Sequence, residues 1–243
     1  MWWGCWASCC ITGDLMRIAY LTYEQIGQLS KFLDAEDNET MYLAVNMGFW
    51  GGLRLSELHS LGPANINLDT GAVQLLYTKN DKPREVFFPA PLCERIKFYV
   101  KHNRGDVEKW AADFDRAAAL KLASLEKDAQ RRGKPRPWVH RFLMEYLQEI
   151  NSPLFGVKYQ AIQKNIRRLP GRAGLADGAG FPLEISPHTF RHSLARYWLE
   201  QGGDLGKLSD YLGHSSIAIT NDVYGRFNKR VILDTAKSLF KPL

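Results

Sequence analysis

Five side chains in three short segments could together attack a phosphodiester with a phenol: Arg54, His188, Arg191, His214 and Tyr224. They lie in Gly52-Leu-Arg-Leu-Ser-Glu-Leu58, in His188-Thr-Phe-Arg191, and in Leu212-Gly-His-Ser-Ser216 followed by Val223-Tyr-Gly225. A phosphate under attack gains negative charge on its equatorial oxygens. Two guanidinium forks and an imidazole can hold that charge through charge-assisted hydrogen bonds. Within a helix, His188 and Arg191 are three residues apart and share a face, so both can converge on one phosphate. Tyr224 is then the nucleophile. A phenol with a reference pKa of about 10 is mostly protonated at neutral pH. It therefore needs a nearby base or a positive surrounding that favours phenolate, and His188 with the two arginines offers both.

Each residue also has an ordinary explanation. Arg54 can simply pair with Glu57 or face solvent. His188 and His192 are four apart, an arrangement that can share a metal with His214. Arg191 would put a fixed positive charge beside such a cation, and no carboxylate sits within the segment, so no metal is expected. His192 is read as a packing or supporting residue. Tyr211, in an apolar helical stretch just before Leu212-Gly213, is read as core.

The elements that must position these groups are mostly helical. Thr22 in N-cap position with Glu24 soon after, then Ile26, Leu29 and Leu33 at helical spacing, predict a first helix. Further helices are predicted from Glu39 to Trp50, through the Arg54 segment, from Leu92 to Lys101, from Asp106 to Arg132, from Arg136 to Ile150 and from Tyr159 to Leu169. Pro187 suits the first turn of the helix bearing His188 and Arg191. Leu205 to Leu212 makes a short helix stopped by Gly213, which leaves His214 beyond the helix end, able to point at a ligand. Asn65–Leu68, Ala72–Tyr77 and Arg84–Phe88 read as three short strands, joined by Asp69-Thr-Gly71 and by Lys79-Asn-Asp-Lys82. Residues from about 104 to 150 form a long, charged helical stretch, taken as a surface insertion with protein contact or extra DNA contact as rival uses.

In their order and internal spacing, the segments resemble the catalytic domain of the tyrosine recombinases, the phage integrase family. That family is recognised by an Arg in a G-L-R-x-S-E-L helix, an H-x-x-R pair, an L-G-H-S segment and a Tyr shortly after it. The similarity runs from about Tyr20 to Asn228. It implies a mainly α fold with a small three-stranded antiparallel sheet, the fold of the DNA breaking-rejoining enzymes, over residues 20–243. It implies that the protein is an enzyme, a metal-independent DNA strand transferase acting in site-specific recombination or integration. Tyr224 would attack the scissile phosphate to give a 3′-phosphotyrosyl link and a free 5′-hydroxyl. Arg54, Arg191 and His214 would stabilise the pentavalent phosphate, with His188 as base or proton relay. The family's general acid is a lysine on the β-hairpin, matched by Lys79, with Lys82 as the competing assignment. No cofactor is required. Tyr224 follows His214 by ten positions, where many members place it one residue closer; a turn at Asn221-Asp222 would absorb the extra residue.

Charge fits a polyanionic partner. The chain has 243 residues and a net charge of +6, and Lys82, Arg84, Arg167 and Arg168 flank the segments the resemblance sets near the cleft, so these four are the expected contacts to double-stranded DNA. Other recombinase subunits are the expected protein partners, in a tetramer on DNA, with a monomer in solution. Three of the four cysteines crowd into the first ten residues, with no disulfide-like spacing through the body, which suits a reducing cytoplasm in a bacterial or phage-encoded protein. Residues 1–19 are read as an extension, disordered or non-native, too short and lacking the basic leader for a signal or membrane anchor. The family's N-terminal core-binding domain is not matched, so the chain is expected to be a fragment of a longer recombinase, with a naturally short recombinase as the alternative. Rival functions are a type IB topoisomerase, which relaxes DNA by similar chemistry, and a non-enzymatic DNA-binding protein on the same scaffold.

Overall fold

The computed structural model describes residues 20–78, 83–177 and 179–214, together with Ala218, Thr220, Asn221 and Tyr224. Helix α1 (Tyr23–Ala35) starts where Thr22 accepts a hydrogen bond from the amide of Gln25. The Gln25 side chain answers by accepting from the Thr22 amide at 2.9 Å, so two otherwise orphaned donors are satisfied. Its apolar stripe, Ile26, Leu29 and Leu33, is buried against α2 (Glu39–Trp50). Helix α2 is apolar nearly all round, as the central helix of a layered body must be. It touches α4 (Ala90–His102), α7 (Tyr159–Arg172) and α8 (Pro187–Glu200). Phe49, Phe88 and Phe190 are fully buried in the core this creates, each burial contributing about 1.5–3 kcal/mol.

The sheet departs from the sequence expectation: among the described residues it has two strands, not three. Strands β1 (Ala72–Leu75) and β2 (Arg84–Phe87) pair antiparallel, with Val73 opposite Val86. The segment Asn65–Leu68 contributes a single bridge, Ile66 to Val73. Its asparagines explain why. The Asn65 side chain accepts from the Gly62 amide to close a 3-10 turn, and that of Asn67 accepts from the amides of Asp69 and Thr70. These local bonds bend the backbone away from a ladder.

Helices α5 (Arg104–Arg132) and α6 (Arg136–Leu147) fold back on each other through a turn at Gly133, whose φ of 62° ends α5 in the left-handed conformation glycine favours. Phe114, Ala118, Leu125 and Ala129 meet Val139, Leu143 and Leu147 in an apolar cluster separate from the main core. The hairpin is rooted in the body through Val107, which is part of the main core, and Trp110, which packs on it. Tyr77, just past β1, packs its ring edge-on to Phe114. No helix among the described residues is long and apolar enough to cross a membrane.

Candidate active site

Arg54 sits at the start of α3 (Leu55–Ser60), one turn after the Gly51-Gly52 break that ends α2. Gly52 has a φ of 55°, and a β-carbon there would lie 2.7 Å from Leu212 and 2.9 Å from Leu194, so only glycine lets this turn press against α8 and α9 (Leu205–Leu212). Arg191, on the second turn of α8, uses that closeness. Its Nη1 donates to the carbonyl of Gly52 at 2.8 Å, and its Nη2 donates to the carbonyl of Leu212. One buried guanidinium thus joins the turn leading to Arg54 and the helix end leading to His214. Among the described residues these two bonds use two of its five N–H groups.

Beneath Arg54 lies a carboxylate with no exposed side-chain surface. Glu57 accepts from the Arg54 amide at 2.8 Å and from its Nη1 at 2.9 Å, and takes a bidentate clamp from Arg84 at 2.5 and 2.8 Å. Burial works to raise the carboxyl of Glu57, but the hydrogen bonds and charge of Arg84, then of Arg54, outweigh it and hold the group below the usual carboxylate range. Arg84, expected among the DNA contacts, therefore faces inward. It is two residues from buried Val86 on β2, so both point at the body, and its Nε also donates to the carbonyl of Tyr211. Three guanidiniums share one carboxylate here, an excess of positive charge with an opening to the surface. That crowding shows in Arg191, which burial, then Arg54 and Arg84, push down to about 9, still charged at neutral pH.

His188 occupies the first turn of α8, after Ser186 and Pro187. It lines a cleft of about 850 Å³ with Arg54, Ser56, Tyr159, Arg167 and one face of α6. Arg167 thus shares the cleft with Arg54 and His188, whereas Arg168 is exposed on α7 outside it. His214 follows the left-handed Gly213 that closes α9, its amide bonded back to Ser209, as expected for a residue just past a capped helix. Its Nδ1 lies 2.5 Å from the hydroxyl of Thr220. Thr220, Asn221 and Tyr224 all have helical backbone, so Asn221 is not in the turn expected there. Lys79 and Lys82 fall outside the described residues.

Tyr224 is 7% exposed and its hydroxyl shares a 2.5 Å hydrogen bond with Nδ1 of His192. Burial pushes the phenol up to about 12, against the pull of Arg191. His192, expected from the sequence to pack or to support, has the supporting role, with Tyr224 as its partner. A signal existed: His192 is one turn beyond His188, so the two share a helix face. Tyr211, read from the sequence as core, is partly buried and packs against it, its hydroxyl donating to the carbonyl of Trp50 at 2.9 Å and accepting from the amide of Phe87 at 3.0 Å.

His59, His192 and His214 are each lowered from 6.5 to about 4, burial being the largest cause in all three. The unfolded chain therefore binds more protons than the folded one between those values. Stability is expected to fall as pH drops from 6.5 toward 4, with no further loss from these groups below that. Thermal unfolding midpoints across this window check it; a flat profile contradicts the neutral, buried imidazoles.

This geometry matches a known family. The model of the phage integrase family covers residues 19–230, and the chain belongs to that family. An integrase/recombinase of Escherichia coli is 27% identical over 202 residues, which is 82% of this chain and 57% of that protein; the chain spans a little over half the length of the curated relative. The crystal structure of XerA recombinase superposes with a TM-score of 0.61 at 20% identity, covering 93% of this chain and 66% of the other. XerH site-specific recombinase, solved in a post-cleavage complex with palindromic difH substrate, gives 0.53 at 18% identity over 90% of this chain and 52% of that one.

Proposed function

We propose that the protein is a site-specific DNA strand transferase that cuts and rejoins double-stranded DNA through a covalent link between Tyr224 and the 3′-phosphate. The observation that carries this reading is the tie made by Arg191. Its guanidinium holds the Arg54 turn and the His214 segment together, within electrostatic reach of the buried phenol of Tyr224.

In this reading Arg54, Arg191 and His214 donate to the phosphate oxygens as charge develops there, a preorganised positive site that needs no reorganisation in the transition state. Tyr224 attacks phosphorus, the bond to the 5′-oxygen breaks, and a proton from Lys79 completes the leaving hydroxyl. The phosphotyrosyl bond keeps the energy of the broken linkage, so a second 5′-hydroxyl can reverse the step. Arg84 and Glu57 hold Arg54 in place instead of touching DNA, while Arg167 reaches the backbone from the cleft wall. Arg168 and Lys82 belong to the flanking DNA surface. Other subunits of the same protein complete the recombining assembly.

His192 positions the nucleophile and takes the phenol's proton, with His188 nearer the phosphate as relay. Replacing His192 by Leu removes the partner of the Tyr224 hydroxyl. Strand cleavage should slow by about 10²-fold or more, the range seen for a lost acid–base partner, while DNA affinity changes little. Single-turnover cleavage followed against pH, with binding measured in parallel, checks this; an unaltered rate and pH profile leave His192 as packing.

The defining experiment incubates the protein with a nicked duplex library whose cleavage releases a short strand, then recovers and sequences the DNA that becomes covalently attached. A selected sequence supports recombination. Attachment without sequence preference, accompanied by relaxation of supercoiled plasmid, points to a topoisomerase-like activity. Binding without attachment leaves only the scaffold.

A further inference from the structure

The hairpin of α5 and α6 is not used by the chemistry above, and the stretch around its turn carries an excess of positive charge. From Ala129 to Met144 the charged side chains are Arg131, Arg132, Lys134, Arg136 and Arg141, all exposed, with no carboxylate among them. Near the root the acidic residues are Asp106, Glu108, Asp113 and Asp115; the basic stretch is flanked by Glu126 and Asp128 before it and Glu145 after it. Helix stability accounts for part of this pattern. Acids near the start of α5 and Arg131 and Arg132 in its last turn suit the helix dipole. Arg136 is the first residue of α6, a position where a cation opposes the helix dipole. Arg141, one turn on, pairs with Glu145 at 3.0 Å on an exposed face, a contact worth little.

The position of α6 gives the pattern a use. Val139, Leu143 and Leu147 face α5, while the other face of α6 looks into the catalytic cleft. Pro137, Arg141, Met144 and Gln148 line that cleft opposite Arg54 and His188. Arg136 lines, with Glu126, a neighbouring hollow of about 470 Å³ between the hairpin and Tyr77 and Pro83. The basic end of the hairpin is therefore continuous with the surface that receives the scissile phosphate. Its apolar cluster is separate from the main core.

We infer that the hairpin of α5 and α6 is a DNA-backbone grip, its basic end holding phosphates that flank the cleavage site. The inference rests on the reading that duplex DNA occupies the cleft. Its contacts carry no sequence information, because an exposed arginine or lysine reads the charge of a phosphate and not a base edge.

The test replaces Arg131, Arg132, Lys134 and Arg136 by Gln in one protein. A second protein carries the same number of changes far from the basic end, Lys31, Lys101, Arg104 and Lys109 to Gln, all exposed. Binding of a fluorescent duplex of random sequence is measured between about 50 and 200 mM salt, where each lost phosphate contact should reduce the slope of log affinity against log salt by about 0.9. The hairpin variant is expected to lose about 2 or more from that slope and at least about tenfold in affinity at the lowest salt, the remote variant much less. Thermal midpoints matching the parent show that both are folded. Equal losses in the two variants, or none in either, overturn the inference. So does a hairpin variant that keeps parental affinity but no longer assembles several subunits on DNA, which would make the hairpin a protein-docking surface. A parent protein that fails to bind duplex at all sinks the DNA reading itself, a separate and earlier result in the same titration.

Discussion

Tyr224→Phe should bind duplex DNA as the parent does and form no covalent protein–DNA complex. The ring stays in its buried seat, so packing is kept; what disappears is the attacking oxygen and its bond to His192. The net stability change is expected to stay within about 1 kcal/mol, the usual size of one such bond. The loss of chemistry should be complete, because the nearby phenol cannot substitute. The hydroxyl of Tyr211 is committed to the backbone of Trp50 and Phe87, where it braces α9 against α2 and β2. A nicked suicide duplex followed by a denaturing gel measures the outcome. An adduct that persists in the Phe variant, mapped to another residue, would remove Tyr224 from the mechanism.

The second large effect is structural first and catalytic second. Glu57→Ala leaves the guanidiniums of Arg54 and Arg84, with side chains 16% and 9% exposed, facing each other and Arg191 without the carboxylate between them. Removing one partner of a buried ion pair costs about 3–5 kcal/mol. For a chain of this size that lowers the thermal midpoint by roughly 6–20 °C. Cleavage should fall even at temperatures where the variant remains folded, since Arg54 loses the clamp that aims it. Glu57→Gln, which keeps an acceptor oxygen, should lose less stability than Ala. The sign with pH follows from the depressed carboxyl: the contribution of Glu57 is in force above the ordinary carboxylate value of 4.5 and is lost as pH falls through its lowered one. If Glu57→Ala unfolds with the parent's midpoint, the three guanidiniums do not depend on the carboxylate as described.

Local pattern made most helices legible. Glu39–Trp50 and Leu205–Leu212 have the predicted bounds because capping and stop signals are short-range: Asn38 caps the first, and Asp204 and Gly213 bracket the second. The third strand failed for an equally local reason that periodicity hides. Asn65 and Asn67 satisfy backbone amides within the turn, so alternation alone overcounted the ladder.

The residue types of the site, their order, and the helical sharing of a face by His188 and Arg191 were determined by the sequence, because each depends on spacing within a few residues. The outcome for Arg84 was decided only in three dimensions: nothing near it in the chain announces that a carboxylate 27 positions earlier would claim it. The same holds for His192, whose partner is 32 positions later. Charge and hydrogen-bonding capacity belong to a side chain, but which partner uses them depends on which backbones can approach. Here that approach is set by the glycine turn at Gly52 and the buried fork of Arg191, contacts that exist only once the helices have packed.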